Sequence, residues 1–371
     1  MPELPEVETI ACGLRPALSG RRIVGVTVHN PGTLEGPLRT PAAFTEAVQG
    51  RRIADVGRRG KLLLVAFASL PPVGHAGQPR PEGLSSSTVR DFLVTHGFHA
   101  AGCATSVHAC APLLADGQQT SGPVPERGRL AGHGDGMDGT SRTGSTLPGT
   151  GGTENSDAVA VADDDTVLGL AFHLKMTGRL FIHPPATPAG IHTRVVFDLE
   201  GGTRLFFDDA RKFGYVRCIT RRSLALWPFW RDLGPEPLET DARGFAARLA
   251  RRRGRIKALL LDQKVVAGVG NIYADESLFR AGIRPDTQAH TLIPERLFAL
   301  HGHLQDVLRE SIAECGSSIR DYRDAHGDAG AFQNSFRVYG RGGQPCRHCG
   351  TTLATAQVAG RTTVFCPRCQ R

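Results

Sequence analysis

Two cysteine pairs near the end of the chain, Cys346-x2-Cys349 and Cys366-x2-Cys369, restrict the fold more than any other feature. Sixteen residues separate the pairs, a spacing that lets two tight knuckles bring four thiolates onto one tetrahedral zinc ion. Gly350, Gly360 and Pro367 suit such knuckles on a short hairpin. A dithiol redox role is the alternative, and two matched pairs at ribbon spacing speak against it. Four protein ligands leave no open coordination position, so one structural Zn2+ is expected. Arg361 falls between the knuckles, where a hairpin tip can enter a groove or grip a phosphate. Residues 336–371 are therefore expected to form a zinc ribbon.

At 371 residues the chain has room for two ordinary domains besides. A net charge of +8 and an isoelectric point near 9.2, carried mostly by arginine, point to a polyanionic partner. No apolar run reaches the length of a membrane span. The acidic N-terminal stretch lacks the apolar core of a signal peptide. The expected setting is cytoplasmic, with the nine cysteines reduced or metal-bound.

The chain opens Met1-Pro2-Glu3-Leu4-Pro5-Glu6-Val7-Glu8-Thr9. Pro5 suits the first turn of a helix, and Val7, Ile10, Ala11 and Leu14 give it an apolar stripe to about Leu14. Residues 22–29 and 51–56 alternate like strands, 44–48 reads as a short helical turn, and Leu62–Phe67 and 167–174 are apolar strands. Between the last two, residues 68–166 are rich in Gly, Ser, Thr and Pro and end in an acidic run, which predicts a disordered insert. Its more apolar part, 89–114, holds His96, His99, Cys103, His108 and Cys110 at a spacing that matches no standard metal site. If the two apolar strands pair as a hairpin, the insert leaves from one end while Lys61 and Met176 meet at the other. About seven strand residues span roughly 23 Å, so removing 68–166 should spare chemistry near Lys61. Thr193–Leu199, 203–207 and Tyr215–Ile219 complete a β-rich first half, residues 1–225. Pro228, Gly234, Pro235 and Pro237 mark a linker over 226–240. Helical spacing follows at 242–252, Ile256–Leu261, 277–281 and 294–315, giving a helical domain over 241–335. In the last helix Leu297, Leu300, Leu304, Leu308 and Ile312 share one face.

Three stretches carry chemistry. Loss of Met1 would leave Pro2 with a free secondary amine, able to attack an electrophilic carbon and form an iminium. A terminal amine has a reference pKa of about 8, against about 10.4 for lysine. The positive end of the following helix disfavours the protonated amine, whereas Glu3 and Glu6 pull the other way and can shuttle protons. Taken alone, the stretch also suits a capped helix with two solvated acids. Lys61, after Arg58-Arg59-Gly60, reads as a phosphate contact or catalytic cation, or as a solvated charge at a strand end. Gly268 and Gly270 in Val266–Tyr273 lack a preceding strand and a third glycine, which excludes a dinucleotide loop. They suit either a tight turn offering N–H groups and Asn271 to phosphates or a structural turn between helices.

In succession, Pro-Glu-Leu-Pro-Glu-Val-Glu-Thr, Arg-Arg-Gly-Lys, His-Leu-Lys-Met-Thr-Gly, Asp-x-Arg-x-Phe-Gly, Leu-Gly-Pro-Glu-Pro-Leu, Gly-Val-Gly-Asn-Ile-Tyr and the zinc ribbon resemble the formamidopyrimidine-DNA glycosylase family. The resemblance covers nearly everything except 68–166. It implies an α+β multidomain fold: an N-terminal β-sandwich with a leading helix, a helix–two-turn–helix domain and the ribbon, with DNA in the cleft between. It further implies a monomeric bifunctional glycosylase and abasic-site lyase of bacterial base excision repair, acting at the nucleoid. Such an enzyme removes 8-oxoguanine and formamidopyrimidines from double-stranded DNA and also cuts abasic sites. Pro2 would attack C1′, Glu3 would relay protons to the sugar ring oxygen, and Glu6 would support the site. Lys61, His192, Asn271 and Arg361 would hold phosphates, Arg361 also serving the chemistry. Met176, Arg211 and Phe213 would fill the space left by the extruded base, a step that costs a few kcal/mol. The loop within 317–335 would cap the lesion. An endonuclease VIII-like enzyme for oxidised pyrimidines and a non-catalytic DNA-binding module are the competing readings.

Overall fold

The computed structural model describes residues 2–68, 99–100, 165–318 and 322–371. Helix α1 (Leu4–Leu18) is followed by β1 (Ile23–Val28), β2 (Leu34–Glu35), α2 (Pro41–Val48), β3 (Ile53–Arg59), β4 (Leu62–Phe67) and β5 (His99–Ala100). After these come β6 (Gly169–His173), β7 (Gly178–His183), β8 (Thr193–Leu199), β9 (Arg204–Asp209) and β10 (Tyr215–Ile219). They form a four-stranded sheet, β1-β8-β9-β7, and a six-stranded one, β2-β10-β6-β4-β3-β5. One apolar core joins the two: Phe172, Val65 and Val216 from the larger sheet meet Phe197, Phe207 and Leu180 from the smaller, with α1 along the side. This is the expected β-sandwich.

Every residue of β4 is buried, because its outer face is covered too. Leu62, Leu64 and Ala66 pack there with Trp227 and Trp230, from the stretch expected to be the linker. Helix α3 (Arg221–Leu226) leads into that stretch, which itself holds the short helix α4 (Pro228–Arg231). Two other expectations need adjusting. Helix α1 runs past Leu14 to Leu18, and β7 occupies residues that showed no clear alternation. β7 forms because its backbone pairs along β9, from Gly178↔Asp209 to His183↔Arg204.

β4 and β6 pair antiparallel from Leu62↔His173 to Ala66↔Gly169, so the hairpin geometry expected from the two apolar runs holds. Apart from β5, which pairs with Gly57 and Arg58 of β3, the insert and the 89–114 patch lie outside the described residues.

The helical part comprises α5 (Ala242–Ala250), α6 (Ile256–Leu261), α7 (Asn271–Arg280) and α8 (Pro294–Ala313). Leu297, Leu300, Leu304 and Leu308 are fully buried along α8, each contributing roughly 1.5–3 kcal/mol. The chain closes with the hairpin β11 (Ala354–Val358) and β12 (Arg361–Phe365). Among the described residues no helix is long and apolar enough to cross a membrane.

Leu4 belongs to the helical core, whereas Val7, Ile10 and Leu14 belong to the sandwich core. The first turn of α1 is thus wedged between the two cores, and the Leu4 N–H donates to the Gly268 carbonyl at 3.0 Å. This wedging places the N-terminal residues at the domain junction.

Candidate functional site

Pro2, Glu3 and Glu6 are all buried at that junction. The Glu3 N–H donates to Glu6 Oε2 at 2.9 Å, which ties the residue after Pro2 to the first turn of α1. Glu3 Oε1 accepts from the Ile272 N–H at 3.1 Å, at the start of α7. Glu3 Oε2 is buried with no hydrogen-bond partner among the described residues. Glu6 Oε1 accepts from the Tyr273 hydroxyl and from the Ser317 N–H and hydroxyl, both at 2.9 Å. Neither Tyr273 nor Ser317 was singled out from the sequence as a partner of Glu6. Nothing in a linear pattern reports a contact across more than 250 positions.

Gly268 and Gly270 have a packing role. A Cβ at Gly270 would lie 2.3 Å from Glu3 Cδ, and one at Gly268, where φ is +82°, would lie 2.7 Å from Leu4 Cδ1. The glycines therefore make room for the N-terminal turn. Asn271 opens α7 rather than sitting between helices, and its Nδ2 donates to the Thr362 carbonyl at 3.0 Å.

Lys61 is buried, and its charge is felt by both Glu3 and Glu6. Burial raises the Glu3 pKa; Lys61 opposes the rise and Glu6 adds to it. Burial lowers the Lys61 pKa, against the pull of Glu3 and Glu6, while nearby Arg361 lowers it further. Desolvation outweighs their mutual attraction on both sides, so Glu3 holds a proton more tightly than usual and Lys61 less tightly. The turn carrying Lys61 is fixed by buried ion pairs. Arg58 donates to Glu8 Oε2 at 2.5 Å and to Glu236 Oε2 at 2.6 Å, and the Gly60 N–H donates to Glu236 Oε1 at 2.5 Å. Such pairs add little net stability but fix geometry, here joining α1, the β3–β4 turn and residue 236.

Arg361 is exposed beside the ribbon turn, where Val358 pairs with it. β12 is held to the helices by the buried pair Lys257 Nζ–Asp275 Oδ1 at 2.6 Å, and Lys257 also donates to Thr363 Oγ1 at 2.6 Å. Lys61, Asn271 and Arg361 are thereby linked to the neighbourhood of Glu3. His192, Met176, Arg211 and Phe213 lie on exposed turns of the sandwich. Met176 is 46% and Phe213 54% exposed, unusual for such side chains. Arg211 bridges them, its Nη1 3.0 Å from Met176 Sδ and its guanidinium 4.9 Å from the Phe213 ring centre.

The Sγ atoms of Cys346, Cys349, Cys366 and Cys369 all lie within 4.8 Å of one another. Two of the separations are 4.0 Å (Cys346–Cys369) and 3.5 Å (Cys349–Cys366). Tetrahedral zinc–thiolate bonds of about 2.3 Å require sulfurs about 3.8 Å apart. The His348 N–H points at Cys346 Sγ and the Cys369 N–H at Cys366 Sγ, both at 3.4 Å, as donors that support thiolate charge. The donor set fits one structural zinc ion.

A β-sandwich, a helical domain and a thiolate ribbon converging on a buried N-terminal turn define the architecture of a multidomain DNA repair glycosylase. Family models agree segment by segment: the formamidopyrimidine-DNA glycosylase N-terminal domain over residues 1–84 and 159–216, its H2TH domain over 233–323, and the zinc finger found in FPG and IleRS over 343–371. The chain belongs to the formamidopyrimidine-DNA glycosylase family. It is 97% identical, over the full length of both chains, to the formamidopyrimidine-DNA glycosylase of Nitratidesulfovibrio vulgaris strain Hildenborough. It is 35% identical to that of Desulfitobacterium hafniense, again over the full length of both. Among solved structures, the complex of Lactococcus lactis Fpg with abasic-site DNA superposes with a TM-score of 0.68 at 25% identity, covering 100% of this chain and 99% of that one. A MutM complex with carbocyclic 8-oxo-G DNA gives 0.67 at 25% identity, covering all of both chains.

Proposed function

We propose that the protein excises oxidised purines from double-stranded DNA, and cleaves abasic sites, with the Pro2 nitrogen as nucleophile. The observation that carries this reading is Glu3, a buried acid with a raised pKa and one unpartnered oxygen, one residue from Pro2 and within reach of the Lys61 charge. Pro2 N attacks C1′ while the glycosidic C–N bond breaks, and the proton released from the Pro2 nitrogen leaves with the departing base. Glu3 delivers its proton to the ring oxygen as the C1′–O bond opens, which leaves an iminium between Pro2 and C1′. Loss of a C2′ proton then expels the 3′ phosphate, and a second elimination expels the 5′ phosphate, leaving a one-nucleotide gap. Lys61, Asn271, Arg361 and His192 hold backbone phosphates. Met176, Arg211 and Phe213 replace the extruded base, Phe213 wedging the step and Arg211 bonding the orphaned base. Zinc contributes only the ribbon's shape. A cytoplasmic, nucleoid-associated monomer fits this work.

Borohydride reduction during reaction with lesion-containing duplex should trap a covalent protein–DNA adduct. Pro2→Gly, or protein that retains Met1, should give none; an undiminished adduct in either case would overturn the assignment. Cleavage across a panel of oxidised purines and pyrimidines separates this reading from an endonuclease VIII-like preference.

A further inference from the structure

Asp209 closes β9 and is fully buried, yet every group its carboxylate holds belongs to one of two turns that carry exposed side chains. Its Oδ1 accepts from the Thr177 hydroxyl and from the Arg211 N–H at 3.2 Å. Its Oδ2 accepts from the Gly214 N–H at 2.6 Å. The Arg211 N–H also reaches Thr177 Oγ1 at 3.1 Å, which closes a triangle between the two turns. The main chain of Asp209 extends the hub: its N–H donates to the His192 carbonyl at 2.9 Å, and its carbonyl accepts from Arg194 Nε at 2.7 Å. β9 lies between β7 and β8, so its last residue stands beside the ends of both neighbouring strands: it pairs with Gly178 of β7 and bonds through its main chain to His192 and Arg194.

The two turns need such support. Lys175 (φ 50°) and Lys212 (φ 57°) both adopt the left-handed region, each immediately before an exposed side chain, Met176 and Phe213. Non-glycine residues persist there when surrounding bonds over-determine the backbone. A Cβ at Gly214 would lie 3.1 Å from Asp209 Oδ2, so a side chain there would crowd the close approach of that N–H.

Resting on the base-replacement role proposed above, we infer that Asp209 is a positioning residue for base extrusion. Its carboxylate locks the Met176 turn and the Arg211–Phe213 turn into one rigid wedge. Its main chain sets the strand end that carries His192. Asp209 touches no DNA itself. Charge-assisted bonds to fixed N–H and O–H groups are strong and directional, and small losses of placement carry large kinetic penalties. The wedge should therefore fail as a unit when the hub is altered, even with all three of its side chains intact.

The test uses full-length zinc-loaded protein carrying Asp209→Asn, which turns an N–H2 towards an N–H donor, or Thr177→Val, which removes the bridging hydroxyl alone. One readout is the fluorescence of 2-aminopurine opposite a tetrahydrofuran abasic analogue at saturating protein; it reports the wedge without any step at Pro2. The other is the ratio of lesion excision from duplex to cleavage of a single-stranded abasic oligonucleotide, which has no stack to open. Expected are a reduced fluorescence change and a fall in that ratio of about tenfold or more, with narrower discrimination among bases opposite the lesion. Thr177→Ser should restore all three. Unchanged fluorescence in both variants, or equal losses on duplex and single strand, would overturn the inference. A wild-type protein that shifts the fluorescence but leaves no borohydride adduct would instead refute the role of Pro2.

Discussion

His173 offers a quantitative test of how the Lys175–Met176 turn is built. Its ring is buried, lies 5.5 Å from Tyr215 and 5.7 Å from Phe229 between centroids, and its Nδ1 accepts from the Lys175 N–H at 3.1 Å. Burial, aided by the Lys175 and Lys61 charges, pushes the imidazole pKa down from 6.5 to about 3. The native protein then binds this proton far more weakly than the unfolded chain does. The associated stability is complete above the unfolded pKa and is lost as pH falls from 6.5 towards 3. Each unit is worth about 1.4 kcal/mol, so acidification from pH 7.5 to 5.0 should remove about 2 kcal/mol through this residue alone. His173→Asn keeps an acceptor at the δ position but cannot titrate. It should be less stable at every pH through lost ring contacts, while its stability changes less between the two pH values by about 2 kcal/mol. Urea titrations followed by tryptophan fluorescence report the right region, because the chain's two tryptophans, Trp227 and Trp230, pack with Phe229 on the same side of the sheet. His301, whose pKa is also lowered by burial, sits against Phe245 in the helical part and contributes equally to both proteins. Equal pH dependence in the two, within about 0.5 kcal/mol, would refute the assignment of a neutral buried imidazole.

Cys366→Ser should release the zinc and with it the placement of Arg361. DNA affinity at matched salt should fall, and the logarithmic salt dependence should become shallower by about one phosphate contact; unchanged affinity and slope would count against a role for the ribbon. Removing residues 68–166 and joining β4 to β6 near Ala66↔Gly169 should preserve abasic-site cleavage, since that pair lies at the opposite end of the hairpin from Lys61. Loss of folded, active protein on deletion would show instead that the β5 pairing with β3 matters.

Much of the molecule was legible in one dimension, and for local reasons. Chelation by Cys346, Cys349, Cys366 and Cys369 depends on short covalent loops, so their spacing predicts the ribbon. The apolar runs of β4 and β6 predict a hairpin because burial on both faces leaves little else for them to do. The Leu297–Leu308 stripe predicts α8 because helical periodicity is a property of neighbouring residues. The same local reading overlooked β7, whose strand conformation comes from pairing along β9, and treated Trp227 and Trp230 as linker when they cover a sheet face.

The candidate site was legible only as a set of residue types. Pro2, Glu3 and Lys61 could be named from their motifs, but what surrounds them was settled by long-range packing. Tyr273 and Ser317 grip Glu6, Glu236 holds the turn before Lys61, and Gly270 leaves the space that Glu3 occupies. Asp209 likewise joins turns that lie more than thirty residues apart along the chain. Chain order determines which groups are available and which short segments they form. Desolvation and hydrogen-bond partnership, which decide whether a carboxyl holds a proton or a turn keeps its shape, exist only once distant segments meet.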